Sequence, residues 1–470
     1  MCLEKPTRNN VTPPSAPKIQ ANDPAAAKSL ADAVQAHRRN DFDAAQASYE
    51  AVLRVHPRHP DALHLLGVIA YQTRKYDLAV SLIGQALDVH EENAAAHVNL
   101  GLALQSLERD EEAYAGFERA VEIDPANIGA WLGLGDVSNR LDRNDSALAS
   151  FEQAIALEPN HAHALHQRGI LQLQRGDVED ALISFDAALK ASPAMAEAWN
   201  NRGNALATLG RRGEAITSFD QALAIEPDLY FALQNRGILL AYLGDPHGAL
   251  RDFDDALKRG NMTAQGHCGH GSALLQLRRF SDALTRFQRA LSDEPENVAA
   301  LLGKARSLSS LKRYPDALET LESALKIAPE NSKALTERAF VLLHQQRYDE
   351  ALVATNQVIS TYPDQVEALN IQGMALQALG RPDAAFSSYQ RALSIDPHHA
   401  EASFNAGLLL LQRGEYLKGW AGFESRWRCA RPNVRRHGGI PEWSGSENLT
   451  GRRLLIWRSE ERPVGKECRP

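Results

Sequence analysis

The residues with the clearest capacity for chemistry are two histidines and a cysteine, His267, Cys268 and His270. Imidazole and thiolate groups bind zinc, but a zinc site takes four ligands, and no further histidine or carboxylate stands near them at ligand spacing. His163 and His166 form a second pair, which a polar helix face explains equally well. We therefore interpret these side chains as structural and predict no metal site and no cofactor.

Motifs that mark a catalytic site are also lacking. The sequence contains no HExxH zinc motif and no GxSxG nucleophile elbow. The segment VGKEC is not a phosphate-binding loop, because it has no upstream glycine and no Ser or Thr after Lys466. We predict no catalytic residue in this chain.

Basic residues gather near the C-terminus. Residues 426 to 470 hold 11 Lys and Arg against 5 Asp and Glu, and Trp427 lies among the arginines. Nucleic-acid binding uses such segments, but the whole chain has a net charge of −8 and carries no nucleic-acid-binding motif. We predict protein or peptide partners rather than nucleic acid.

The sequence also indicates a compartment. No apolar run approaches the roughly 18 residues that a membrane span needs, and the N-terminus has no apolar core of a secretory signal. Four cysteines are scattered along the chain without a CxxC pair, which fits a reducing environment. We expect a cytoplasmic protein that does not contact a membrane.

A repeat of 34 residues sets the elements that must position any functional group. Small side chains recur in one register, without insertion or deletion, at Ala33, Gly67, Gly101, Gly135, Gly169, Gly203, Gly237, Gly271, Ala305, Ala339, Gly373 and Gly407. A second small series includes Ala113, Ala147, Ala181 and Ala215. A mostly aromatic series includes Phe151, Phe185, Phe219 and Phe253. A further series is mostly proline.

The spacing within each unit predicts two helices. Apolar or small residues recur at intervals of three and four, which is the period of a helix face, and segments such as LGRRG at residues 209–213 predict a turn between the helices. Small residues allow two helices to approach closely, and the aromatic residue fills the joint. One helix pair cannot bury its apolar face alone, so we expect stacked pairs with a continuous core.

This pattern resembles the tetratricopeptide repeat family. The resemblance implies an all-α, right-handed superhelical solenoid of about 12 helix pairs over residues 26–431, after a disordered lead at 1–25 and before an irregular tail at 432–470. Glu91 and Asn261 stand where most units have proline, and Thr355 where most have an aromatic residue. Gly419 and Arg426 interrupt the last unit, which we expect to form a cap or a junction.

Carboxamides cluster on the first helix of several units, which the resemblance places along a concave groove. They are Asn99, Gln167, Asn200, Asn201, Asn204, Gln234, Asn235, Asn370 and Asn405. A carboxamide both donates and accepts hydrogen bonds, so a row of them could hold a peptide backbone without selecting its side chains. The row resembles the asparagine ladder of O-linked N-acetylglucosamine transferases. The alternative is that these residues are exposed polar positions or form hydrogen bonds within the stack.

Four arginines form a second row, directly before the small residue: Arg168, Arg202, Arg236 and Arg338. Such side chains could pair with acidic groups of a partner. We favour the interpretation that each packs its stem between helices and forms a salt bridge with a neighbouring repeat.

The segment after the last repeat has its own pattern. GW, FESRW and PEWSGSENLTGRRLLIW resemble the junction at which bacterial repeat proteins continue into a glycosyltransferase-like domain. That resemblance implies that Arg452 to Trp457 is the first strand of this domain, and that the remainder is truncated because RSEERPVGKECRP lacks the expected glycine-rich loop.

Two functions follow from these patterns. The first is a protein-interaction scaffold that binds extended partner segments in the groove. The alternative is the acceptor-recruiting arm of a protein O-glycosyltransferase whose catalytic domain is missing from this chain. The sequence leaves the oligomeric state, including a homo-oligomer, open.

Overall fold

The computed structural model describes residues 24–259 and 262–429. Within these ranges all regular elements are helical: 24 α-helices form twelve consecutive pairs, and a short 3-10 helix follows the last pair. This confirms the predicted all-α class of repeated helix pairs. The predicted lead up to residue 23, Asn261, and the predicted tail and strand from residue 432 onward lie outside the described residues.

The chain divides into two compact units, Met1–Asp293 and Glu294–Pro470. The first unit holds repeats 1 to 8, whose helices are α1 Pro24–Arg38, α2 Phe42–Val55, α3 Pro60–Gln72, α4 Tyr76–Leu87, α5 Ala94–Ser106, α6 Asp110–Ile123, α7 Ile128–Arg140, α8 Asn144–Leu157, α9 Ala162–Arg175, α10 Val178–Ala191, α11 Ala196–Thr208, α12 Arg212–Ile225, α13 Tyr230–Tyr242, α14 Pro246–Lys258, α15 Ala264–Gln276 and α16 Phe280–Asp293.

The second unit holds repeats 9 to 12. Its helices are α17 Val298–Ser310, α18 Tyr314–Ile327, α19 Ser332–His344, α20 Tyr348–Thr361, α21 Val366–Ala378, α22 Pro382–Ile395, α23 Ala400–Gln412 and α24 Tyr416–Phe423. The 3-10 helix spans Glu424–Trp427. None of the helices in the described ranges is long and apolar enough to cross a membrane.

Small residues of the first helix meet the aromatic residue of the second helix in the same repeat. In repeat 6, a methyl group added at Gly203 would lie 2.5 Å from Cε1 of Phe219, so only glycine lets the ring approach this closely. The same contact occurs at Gly101, Gly135, Gly169 and Gly237, which face Phe117, Phe151, Phe185 and Phe253. These five rings and the alanines Ala113, Ala147, Ala181 and Ala215 are buried. They form the core that the 34-residue spacing predicts.

The turn inside each repeat has a left-handed residue seven positions after the small residue. Its φ angle lies between 57° and 90° in all twelve repeats, five times at glycine, as at Gly210, and seven times at another residue, as at Asp142. The next amide closes the helix end: Arg211 N donates to the carbonyl oxygen of Leu206 at 2.9 Å. This is the arrangement that ends many helices and turns the chain back.

The length of the second helix differs between repeats with and without a proline after it. The second helices that precede a proline in repeats 1, 3–6 and 8–11 have 14 residues. Where Glu91 or Asn261 replaces it, α4 has 12 residues and α14 has 13. The last repeat departs further, because α24 has only 8 residues. There a methyl group added at Gly407 would lie 2.6 Å from the backbone nitrogen of Phe423.

Candidate functional site

Eight of the nine predicted carboxamides occupy two positions of the first helices, and Asn204 lies one residue after the small residue Gly203. The outer row lies two residues before the small residue and comprises Asn99, Gln167, Asn201, Asn235 and Asn405. The inner row lies three residues before it and comprises His64, His166, Asn200, Gln234 and Asn370. All inner-row side chains are buried, whereas those of the outer row are half-exposed except for Asn99.

Each outer-row asparagine forms a hydrogen bond with an inner-row residue 35 positions earlier, in the preceding repeat. The Nδ2 donors and their acceptors are Asn99 and His64 Nε2 at 2.9 Å, Asn201 and His166 Nε2 at 3.0 Å, Asn235 and Asn200 Oδ1 at 3.0 Å, and Asn405 and Asn370 Oδ1 at 3.0 Å. These bonds join neighbouring repeats. The alternative interpretation, in which the carboxamides form hydrogen bonds within the stack, therefore accounts for the Nδ2 groups of these four asparagines.

In repeats 5 to 7 these bonds are continuous. Asn235 donates to Asn200, Asn200 Nδ2 donates to Asn201 Oδ1 at 3.3 Å, and Asn201 donates to His166. We call this chain the amide relay. It fixes the orientation of the half-exposed Asn201 and Asn235, so that the remaining oxygen lone pairs point in defined directions.

Packing accounts for two interruptions of the carboxamide row. Gly133 and Gly269 replace asparagine in the outer row, and the residues 35 positions before them are Val98 and Gln234. At Gly133 the ring of Phe117 occupies the space that a side chain would need. Gln234 bonds elsewhere: its Oε1 accepts from the backbone N and from Oγ1 of Thr263 at 3.0 and 2.8 Å. The interruptions at Gly133 and Gly269 are therefore packing features.

Burial keeps the histidine acceptor of repeat 2 neutral. His64 Nε2 accepts from Asn99, and desolvation lowers the pKa of the His64 ring to about 4. A neutral ring is required there, because a protonated imidazole has no acceptor. Asn99 Oδ1 is buried and lacks a hydrogen-bond partner among the described residues.

Two predicted carboxamides have side chains that are not engaged within the stack. Gln167 and Asn204 form no side-chain hydrogen bond to another residue in ranges 24–259 and 262–429. Both are half-exposed on the first helices α9 and α11. They are the carboxamides of repeats 5 and 6 that are best able to bond to a partner.

The arginine row joins second helices. Arg202 Nε bonds to Asp186 of the preceding repeat at 2.6 Å, and Arg236 Nη1 bonds to Asp220 at 2.6 Å. This confirms the predicted salt bridges between neighbouring repeats for these two arginines. Arg236 also holds the buried Asp252 at 2.7 Å, and this pairing raises the pKa of the guanidinium. Arg168 and Arg338 are half-buried, and Arg168 Nε donates to Ser184 at 3.0 Å.

Most arginines on the first helices of repeats 5 to 7 are paired with a carboxylate, and Arg168 bonds to the neutral Ser184. Their four arginines, Arg168, Arg175, Arg202 and Arg236, all bond to second-helix side chains. Glu197 is the one acidic residue of α9, α11 and α13.

The histidine cluster of repeat 8 is packed into the stack. His267 and His270 are both buried, and the His270 ring stacks on Phe253 with centroids 5.3 Å apart. Burial lowers the pKa of His270 to about 3. The described residues contain no group of three or more His, Cys, Asp or Glu side chains that could hold a metal ion.

Comparisons with known proteins agree with the helix pairs. A family model described as tetratricopeptide repeat matches residues 30–83, 64–128, 132–196, 166–229, 268–332 and 372–419, and a second model of that description matches 308–374. No curated protein matches the chain.

Several solved structures are similar in part. YrrB, described as a TPR protein with an unusual peptide-binding site, is 24% identical with a TM-score of 0.36, over 39% of this chain and 95% of YrrB. A tetratricopeptide repeat protein from Parabacteroides merdae is 19% identical with a TM-score of 0.41, over 53% of this chain and 98% of its own. The complex Cut9–Hcn1 gives 13% identity and a TM-score of 0.44, over 87% and 95%.

Proposed function

Because the chain belongs to the tetratricopeptide repeat family, it is a scaffold for protein interactions, and we propose that it binds an extended partner segment along the first helices of repeats 5 to 7. The observation that carries the proposal is the half-exposed row of Gln167, Asn201, Asn204 and Asn235, two of which are oriented by the amide relay. Groups held in place lose less entropy on binding than mobile ones.

The chemistry of the row indicates how the segment is held. Carboxamides donate to peptide carbonyl groups and accept from peptide N–H groups, so they contact backbone rather than particular side chains. Arg175, Arg202 and Arg236 are already paired with carboxylates of the stack, so a segment without strong net charge is the expected partner. We therefore expect an affinity that changes little with ionic strength, because amide–backbone hydrogen bonds involve no pair of full charges for salt to screen.

The structure suggests which substitutions test the proposal. Alanine at Asn201 or Asn235 would also leave a buried acceptor, His166 Nε2 or Asn200 Oδ1, without its donor, and that loss costs about 1–3 kcal/mol of stability. Gln167 and Asn204 are cleaner probes because their side chains hold nothing in the described stack. The matched control is Gln153→Ala with Gln221→Ala, at two exposed carboxamides of second helices.

The experiment selects linear peptides from a random displayed library on the full chain and measures their affinity by fluorescence anisotropy. Losing two hydrogen bonds of about 1 kcal/mol each should weaken binding roughly 30-fold in the Gln167→Ala, Asn204→Ala variant, with an unchanged melting temperature. The control variant should bind like the unmodified chain. Failure to select any peptide, or equal affinity in both variants, would refute the proposed site.

The acceptor-recruiting arm of a glycosyltransferase is a narrower form of the same proposal. Its support is the resemblance of the segment that follows the repeats, and residues 430–470 of that segment lie outside the described ranges. The matched family models end at residue 419. Because the arm itself carries no predicted catalytic residue, the test is the chemistry of the peptides it selects. Selected peptides that share a Ser or Thr at one fixed position would favour an acceptor-recruiting arm, and peptides without a shared hydroxyl would favour the scaffold alone.

A further inference from the structure

Helix α24, the second helix of repeat 12, exposes three large side chains that lie close together. We call Tyr416, Leu417 and Trp420 of α24 the end face, and their exposed fractions are 65%, 90% and 54%. Tyr416 and Trp420 are four residues apart, so both lie on one side of the helix, with Leu417 beside them. Such a cluster of exposed apolar side chains commonly marks a contact surface.

Earlier repeats show what normally covers this place. Trp420 lies thirteen residues after the small residue Gly407, and the equivalent residues of repeats 2 to 11 are all buried or half-buried: Val80, Tyr114, Leu148, Leu182, Ile216, Leu250, Leu284, Leu318, Leu352 and Phe386. Trp420 is the exposed member of this series. The position of Trp420 is thus covered in these earlier repeats, whereas the position of Leu417 is exposed in them, as at Asp77 and Glu111.

Two residues at the position equivalent to Trp420 are aromatic, and an arginine contacts the ring of each. In repeat 3 the ring of Tyr114 is met by the Arg143 guanidinium of the next repeat, 4.7 Å from the ring centroid. In repeat 11 Phe386 is met in the same way by Arg413 at 5.0 Å. Both are cation–π contacts, and tryptophan is the best ring for them. An arginine is therefore the expected cover for Trp420, and apolar side chains are the natural complement to the exposed Leu417 beside it.

We propose that the end face is a docking site for residues 452–457 of the same chain, whose sequence is RRLLIW. This segment combines two arginines for Trp420 with a run of four apolar residues for Leu417 and Tyr416. The other arginine pair of the tail, Arg435 and Arg436, is followed by HGGI and lacks such a run. The 22 residues between Cys429 and Arg452 reach far enough, since an extended chain spans about 3.3 Å per residue.

Photocrosslinking of the full chain tests this assignment. Leu417 is replaced by benzoylphenylalanine, which its exposure tolerates, and the cross-linked peptides are identified by mass spectrometry. Isotopically light and heavy copies are mixed so that links within one chain are distinguished from links between copies. The matched control carries benzoylphenylalanine at Leu78, an apolar residue of α4 that is 47% exposed.

The expected product links position 417 to residues 452–457 within one chain, and position 78 gives no such link. Arg452→Glu with Arg453→Glu should lower the yield about fivefold, as the loss of a contact worth about 1 kcal/mol predicts, whereas Arg435→Glu with Arg436→Glu should not. Three results would overturn the proposal. The first is light–heavy links as the main product, which would assign the end face to a second copy. The others are scattered links like those from position 78, and a cross-linking yield that is unchanged by the Arg452→Glu, Arg453→Glu substitutions.

Discussion

The contact between Gly203 and Phe219 allows a quantitative test of the repeat packing. Phe219 is 1% exposed, and a methyl group added at Gly203 would lie within 2.5–2.9 Å of three carbons of its ring. Phe219→Ala should cost about 3–5 kcal/mol, as for a buried aromatic residue. Gly203→Ala should lose about 1–3 kcal/mol through overpacking and regain about 1 kcal/mol through helix propensity.

The double variant should be more stable than the sum of these changes indicates. Once the ring is gone, the added methyl group no longer clashes and buries itself in the cavity, which contributes about 0.8 kcal/mol. The propensity gain appears in both the single and the double variant and cancels. The coupling energy is the loss of stability in the double variant minus the sum of the losses in the two single variants. It should therefore be about −2 to −4 kcal/mol.

Gly213 provides the matched control, because a methyl group added there meets nothing within 4 Å. Gly213→Ala and Phe219→Ala should be additive within about 0.5 kcal/mol. Native-state hydrogen exchange of amides in α11 and α12 is the appropriate assay, since long repeat arrays do not unfold in one two-state step. A coupling below about 1 kcal/mol for Gly203, equal to that of the control, would refute the packing argument.

Two further predictions concern charged and titratable groups. Arg236→Ala should destabilise repeats 6 and 7 by about 3–5 kcal/mol, because Asp252 is only 6% exposed and loses its cation; in hydrogen exchange, Arg236→Ala with Asp252→Ala should recover a large part of that loss. The stabilisation from neutral His64 should be complete above pH 6.5, the ordinary pKa in the unfolded chain, and fall by about 1.4 kcal/mol per pH unit down to the folded pKa of about 4. His64→Gln, which keeps an acceptor for Asn99, should remove that part of the pH slope in the opening free energies of α3 and α5 amides, measured by native-state hydrogen exchange and corrected for intrinsic exchange rates; an unchanged slope would contradict the assigned neutral ring.

Much of the fold could be predicted because it is set by local spacing. The phase of glycine, alanine and phenylalanine along the chain predicts two helices per repeat and the side chains between them. Phe185 packs on Gly169 and shares a buried cluster with Ala181, where that phase places them. Arg202 and Arg236 likewise form the predicted salt bridges. These features depend on periodicity within one repeat or between adjacent ones.

The hydrogen-bond partners of the carboxamide row could not be predicted from the 34-residue spacing. Asn201 and Asn235 occupy equivalent repeat positions, yet their hydrogen-bond partners lie 35 residues away, one more than the repeat length. That offset arises from the way successive first helices stack. The signal was present, since each outer-row asparagine follows a histidine or asparagine by 35 residues, whereas Gln167 follows Leu132.

By itself, then, the sequence determined the helix pairs, their register and their core, because a helix face is a property of neighbouring residues in one chain segment. The tertiary structure decided which amides tie repeats together, which remain half-exposed, and that Trp420 at the end of the described stack is uncovered. Those outcomes depend on how one repeat is shifted against the next, and that shift is fixed by packing between helices that the sequence separates.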